Sequence, residues 1–209
     1  MELVYMKSVT ENKINSKCLF RSTLIIGCLI TLFSVFPSCS MAAGYDNYKT
    51  GDKLLTTMTF VPHVSFGATS VQHFNHALYE WNAAAGWSLM SREPIIKHSS
   101  SFYPSEDGNN YIYKTNAGSQ YLAETTWWTY GNGITHEADI NINPYYAWAN
   151  TPQSGYHDVW TVFLHEAGHV AGLSDNYDHP DSVMYYQGAA GESKRYLTNF
   201  DRAVLSSIY

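Results

Sequence analysis

Residues 165–175 read HEAGHVAGLSD. Two histidines four positions apart on a helix sit one turn from each other and about 40° apart around the axis. His165 and His169 can therefore present both imidazoles from one face. Glu166 stands beside that face, placed to reach a water held there without being a ligand itself. Gly172 comes three residues after His169, where the helix has to stop if the chain is to turn back, and glycine adopts the positive φ that such a turn requires. Asp175 follows three residues later. HExxHxxGxxD thus offers two ring nitrogens and a carboxylate oxygen, a donor set that zinc accepts with one position left for water. His179, in DNYDHPDSVMY, competes with Asp175 for third ligand, but the distance from the turn at Gly172 favours Asp175.

The residues around this motif predict the frame that holds it. DVWTVFLHEAGHVAGL (158–173) is a helix with Val159, Val162, Phe163, Ala167 and Val170 as its buried stripe. ATSVQHFNHALYEWNAAAG (68–86) is a second helix, with Val71, Phe74, Leu78, Trp81 and Ala85 facing inward. Thr69 or Ser70 is its expected cap and Gly86 its stop. His73 and His76 lie on it and read as surface or core-edge residues, not ligands. A last helix starts at Thr198, where TNFD resembles a capping box, and Phe200, Val204, Leu205 and Ile208 face inward. Strands are expected within 54–66, in PIIKHS (94–99), NYIYKT (110–115) and ETTWWTY (124–130), and in ITHEADININP (134–144). In the last, Ile134, Ala138, Ile140 and Ile142 point to one side. The order of elements is that of an α+β domain with a mixed twisted sheet. Met184, in DSVMYY, is expected to form a hydrophobic floor beneath the ligands.

The first residues read differently. Lys7, Lys13, Lys17 and Arg21 precede the apolar run Thr23–Phe36, and PSCSMAAG follows. That pattern is a secretory signal peptide over residues 1–42, cut after Ser40-Met41-Ala42, leaving a catalytic domain of 43–209. The apolar run is shorter than the ~20 residues a membrane span needs, although an uncut anchor is the alternative. Cys18, Cys28 and Cys39 all lie before the cut, so the exported domain would be held by its core and by bound metal, not by disulfides. Beyond residue 42 the chain keeps 8 basic and 16 acidic side chains. That acidic balance argues against nucleic acid and anionic membranes as partners, and it is compatible with Ca2+ binding.

The combination of HEAGHVAGLSD with a methionine shortly downstream resembles the metzincin zinc endopeptidases. HEAGHVAGLSDNY is similar to snapalysin-type secreted bacterial proteases, whose third ligand is aspartate. DSVMY, the ending YLTNFDRAVLSSIY, and the pairing of FNHALYEWNAAAG with ITHEADININ are similar to matrixins. The resemblance spans residues 54–209. It implies a metzincin-like fold and a secreted, extracellular, monomeric peptidase acting on proteins or peptides. His165, His169 and Asp175 would hold Zn2+, and Glu166 would take the proton of a water on the zinc. By the same resemblance Tyr186 would reach the zinc or the oxyanion, and ITHEADININ would be the exposed edge on which an extended substrate adds as a strand. Three departures stand out. Matrixins have histidine where this chain has Asp175, they carry a cysteine-bearing prosegment, and His98, His136 and His157 are too scattered to form their histidine-rich zinc loop. The alternatives are a membrane-anchored surface protease and an inactive metzincin-like binding module; the latter is expected to have lost Glu166 or a ligand, and all four residues are present.

Overall fold

The computed structural model describes residues 4–5, 7–11, 45–93 and 104–209. The expected strand at 94–99 and the expected leader's apolar run and cut site lie outside the described residues. The protein is a mixed α/β structure. Its sheet contains β3 (Met58–Pro62), β4 (Met90–Arg92), β5 (Asn110–Tyr113), β6 (Ala123–Tyr130) and β7 (Ile134–Ile142), in the order β6-β7-β5-β3-β4. All neighbours are parallel except β6 and β7, which form an antiparallel hairpin. Two short N-terminal strands join this frame. β1 (Val4–Tyr5) pairs antiparallel with β10 (Gln187–Gly188), and β2 (Lys7–Glu11) pairs in parallel along the outer edge of β6. β8 (Trp148–Ala149) and β9 (His157–Asp158) pair with each other ahead of the helix that bears the motif.

Three α-helices complete the described structure: α1 (Ala68–Ala85), α2 (Val159–Val170) and α3 (Asn199–Ser206). The stripes expected from sequence are the ones that pack. Phe74 of α1 meets Phe163 of α2 with ring centroids 4.4 Å apart, and the Trp81 indole N–H donates to the Leu164 carbonyl at 2.8 Å. Phe60, Ile112, Ala138, Ile140 and Ile142 supply the sheet side of the same core. Gly86 ends α1 in the left-handed conformation, φ 75°. The start of α1 differs from expectation. Gly67 is the N-cap with no side-chain cap, and Ser70 instead donates to the Asn150 side chain at 3.0 Å. The box on α3 forms as read: Thr198 accepts from the Asp201 N–H, and Asp201 accepts from the Thr198 N–H.

One strand assignment has to be corrected. Ile134–Ile142 is not an edge: β5 lies on one side of it and β6 on the other. The cause is visible in its polar side chains. Glu137, Asp139, Asn141 and Asn143 alternate with the apolar row and are all buried. Each grips the backbone of the 105–121 segment. Glu137 accepts from the N–H groups of Asp107 and Gly108, Asp139 from those of Tyr111 and Ser105, Asn141 from Thr115 and Asn143 from Ala117. Buried backbone donors need partners, and this polar ladder supplies them, so β7 is covered on both faces. Ala123–Tyr130 lies outside it, between β7 and the N-terminal strand β2.

Candidate metal centre

α2 begins at Asp158, whose carboxylate accepts from the Thr161 N–H at 3.0 Å and also binds Arg195. From that cap, regular helix carries His165, Glu166 and His169 into the core, each essentially without solvent exposure. At the far end Gly172 takes φ 94°. Its carbonyl accepts from the Thr50 N–H, and the Ser174 N–H donates to the Tyr48 carbonyl, both at 2.9 Å. A Cβ on Gly172 would overlap the Asp52 carbonyl oxygen, so close approach as well as φ requires glycine here. The returning chain brings Asp175 back to the helix.

His165, His169 and Asp175 converge, with one donor atom from each lying within 4.8 Å of the others. The two Nε2 atoms are 3.1 Å apart, and Asp175 Oδ1 lies 3.1 Å from His165 Nε2 and 3.7 Å from His169 Nε2. His165 Nδ1 donates to the Val183 carbonyl at 2.8 Å and His169 Nδ1 to the Leu173 carbonyl at 2.9 Å. A carbonyl can only accept, so both rings carry their proton on Nδ1 and turn an Nε2 lone pair inward. Two lone pairs and a carboxylate facing one another repel unless a positive charge sits among them. Bond lengths of ~2.0–2.1 Å in a tetrahedral zinc site place ligand atoms about 3.3 Å apart, close to the three separations observed. Asp175 Oδ1 and Glu166 Oε1 are both buried without a hydrogen-bond partner, which fits a group that accepts electrons at this point. Carbonyl-held Nδ1 protons are also the usual orienting contacts of metal-bound histidines.

The electrostatics agree. Burial pushes the Glu166 carboxyl up to about 8, the nearby His165 only partly opposing it. Burial pushes His169 down to about 4. For His165 burial also lowers the value, but the Asp175 carboxylate outweighs it and the net shift is upward. Burial would raise Asp175, yet the two imidazoles hold it below the usual carboxylate range. Two carboxylates and two imidazoles brought together in so dry a space form a group that a divalent cation would stabilise.

The remaining sequence-predicted residues fall around this triad. Met184 is buried beneath α2, and a Cβ on Gly168 would overlap its Sδ and come within 2.8 Å of Trp81. The floor thus reaches the helix at a position that only glycine leaves open. His179 stays out of the cluster, its ring stacked on Phe200 with centroids 3.8 Å apart. Tyr186 is half-buried against Tyr177 and Tyr185, with centroids 4.6 and 5.0 Å away. His73 Nε2 donates to the Asn150 carbonyl and its ring stacks on Trp160, while His76 is exposed beside the same indole. His136 pairs with Glu106, and His157 packs between Tyr146 and Trp148.

Two features of the centre have no counterpart in the motif. Thr125 on β6 donates to Glu166 Oε2 at 2.6 Å. Asp201 on α3 accepts from the Ser182 hydroxyl and from the Val183 N–H, and so fixes the turn whose carbonyl orients His165. A buried threonine in ETTWW was the available signal for the first. The second joins residues far apart in sequence and left none beyond the capping box.

No protein-family model and no curated protein matches the chain. Among solved structures, metalloproteinase-II from Bacteroides fragilis aligns with a TM-score of 0.43 and 11% identity, over 77% of this chain and 54% of that chain. The chain thus spans about half the length of that protein. What supports a metal-dependent function is the triad itself.

Proposed function

We propose that this chain is a secreted, zinc-dependent endopeptidase of metzincin type. The observation that carries the proposal is the convergence of His165 Nε2, His169 Nε2 and Asp175 Oδ1 beside a buried glutamate with one unpartnered oxygen. A zinc ion held by these three residues would polarise the scissile carbonyl and acidify water. Glu166 Oε1 takes the proton from the attacking water and passes it to the leaving amine nitrogen. Tyr186 is assigned to the developing oxyanion. The protein acts as a monomer on proteins or peptides.

The outer edge of β6 offers an extended substrate its backbone hydrogen bonds. Lys7–Glu11 lies along that edge, register-paired with Glu124–Trp128, which supports the reading that it accepts an added strand. Removal of residues 1–42 as an export signal would clear it. Among the described residues no helix is long and apolar enough to cross a membrane. N-terminal sequencing of the exported protein is expected to begin at Ala43, and an intact N-terminus on a membrane fraction would replace secretion with anchoring.

The deciding experiment is a casein digest with and without 1,10-phenanthroline, beside Glu166→Gln. Wild type should cleave and be silenced by the chelator. Glu166→Gln should keep its zinc and lose ~10²–10⁴-fold in rate. A Glu166→Gln variant that cleaves as fast as wild type would remove the mechanism.

A further inference from the structure

One residue of β6 reaches into the centre. Ala123, Thr125 and Trp127 alternate along β6 and are buried, Thr125 touching Glu166 and Trp127 lying parallel to the His169 ring. On that row a threonine is out of place. Valine has nearly the same shape and the same preference for a strand, and it brings no hydroxyl to desolvate. The hydroxyl must therefore be used, and its contacts say how. Thr125 Oγ1 is 2.6 Å from Glu166 Oε2 and 3.2 Å from the Glu166 main-chain oxygen. It has one proton to give, and the nearer oxygen, Glu166 Oε2, makes the stronger bond. Glu166 Oε1 is left buried and without a partner.

We propose that Thr125 is a positioning residue that ties down Glu166 Oε2 and reserves Oε1 for the proton of the attacking water. The proposal rests on the peptidase reading above. A carboxylate free to rotate would share the base function between two oxygens and spend time with neither aligned. The bond from Thr125 removes that freedom. It also survives both halves of the cycle. When Oε1 has taken the proton from water, Oε2 is a carbonyl oxygen and still accepts from the Thr125 hydroxyl. Oε1 then returns the proton to the amine nitrogen as the carbon–nitrogen bond breaks. Thr125 lies opposite Ile140 on the inner side and Ser8 on the outer side of β6. The strand on which an extended substrate would lie is therefore the strand that holds the base.

The test compares Thr125→Val and Thr125→Ser, each in the wild-type and Glu166→Gln backgrounds. Peptide-hydrolysis kinetics, bound zinc and crystal structures are the readouts. Thr125→Val should lower kcat by ~10–100-fold with KM and zinc content unchanged, and Thr125→Ser should stay within about threefold of wild type. In the Glu166→Gln background Thr125→Val should cost nothing further, since residues that act as one unit are not additive. In the crystals the Glu166 carboxylate should rotate away in Thr125→Val and keep its place in Thr125→Ser. A wild-type kcat in Thr125→Val, an equal loss in the Glu166→Gln background, or an unmoved carboxylate would each overturn the proposal. Failure of the peptidase reading would look different. The wild type would bind zinc and cleave nothing, and the crystal comparison would still decide whether Thr125 sets the carboxylate.

Discussion

The two halves of the candidate metal centre are built in different ways. His165, Glu166 and His169 ride on α2, where a regular backbone fixes their spacing and burial in the core fixes their rotamers. Asp175, Val183 and Met184 come from the chain between Gly172 and Tyr186, which has no helix and only isolated bridges, Leu173 to Lys49 and Asn176 to Tyr185. Its shape is imposed from outside. Residues 48–50 hold the turn after α2, and Asp201 of α3 holds the turn before Met184. Yet the halves are interlocked, because the Nδ1 protons of both helical histidines go to carbonyls of the irregular half. A periodic element thus supplies the direction of the ligands, and a loop pinned by remote elements supplies their orientation and the third donor.

The strongest way to break this comparison is to ask whether the irregular half is needed at all. Asp175→Ala should lose zinc and all measurable hydrolysis, because two imidazoles and water hold the ion far less tightly than the full set. His179→Ala, four residues on, should keep both, since its ring is spent on Phe200. Zinc titration of the two purified variants ranks them. A His179→Ala variant that loses zinc while Asp175→Ala retains it would reverse the assignment of the third ligand.

A smaller effect should follow from loosening the irregular half without touching a ligand. Asp201 accepts from Ser182, Val183 and twice from Thr198. Asp201→Ala leaves those buried donors unmet and frees the turn that carries the Val183 carbonyl. Zinc affinity should fall by about tenfold, the low end of what orienting contacts contribute. Competition with a chromogenic chelator measures it. Unchanged affinity in a folded variant would mean that the turn keeps its shape without α3.

The same division governs what could be read from sequence. The helical half was legible because periodicity of 3.6 and the spacing of His165, Glu166 and His169 are local properties. The C-terminal box at Thr198 was legible for the same reason. Asp175 was legible through Gly172, whose positive φ announces a turn of known reach. Sheet order was not. ITHEADININ and ETTWWTY both read as half-buried strands, and nothing local to either says which lies outside. The decision belongs to the 105–121 segment, whose backbone donors are gripped by Glu137, Asp139, Asn141 and Asn143. Acidic and amide residues are poor strand formers, so four of them at alternate positions did signal a special task. Which task required the partner segment. Thr69 and Ser70 misled in the opposite way: both are good caps, but Ser70 is drawn to Asn150, and Gly67 begins the helix unaided.

The finest test concerns Tyr186, at the end of the irregular half. Its ring leans on Tyr177, which is largely exposed, and on Tyr185. A hydrogen bond from a half-buried phenol to a developing oxyanion is less sheltered from solvent than one in a dry site. Donors in a dry oxyanion site are worth ~10²–10³-fold in kcat. A half-buried one should be worth less, and Tyr186→Phe is expected to lower kcat by about tenfold with KM, zinc content and melting temperature unchanged. Removing only the hydroxyl leaves the ring contacts with Tyr177 and Tyr185 in place, so a packing role predicts no change in kcat. A fall in melting temperature with kcat intact would therefore place Tyr186 with the residues that shape the loop. A selective loss of kcat would show that the irregular half contributes to the chemistry as well as to holding the ion.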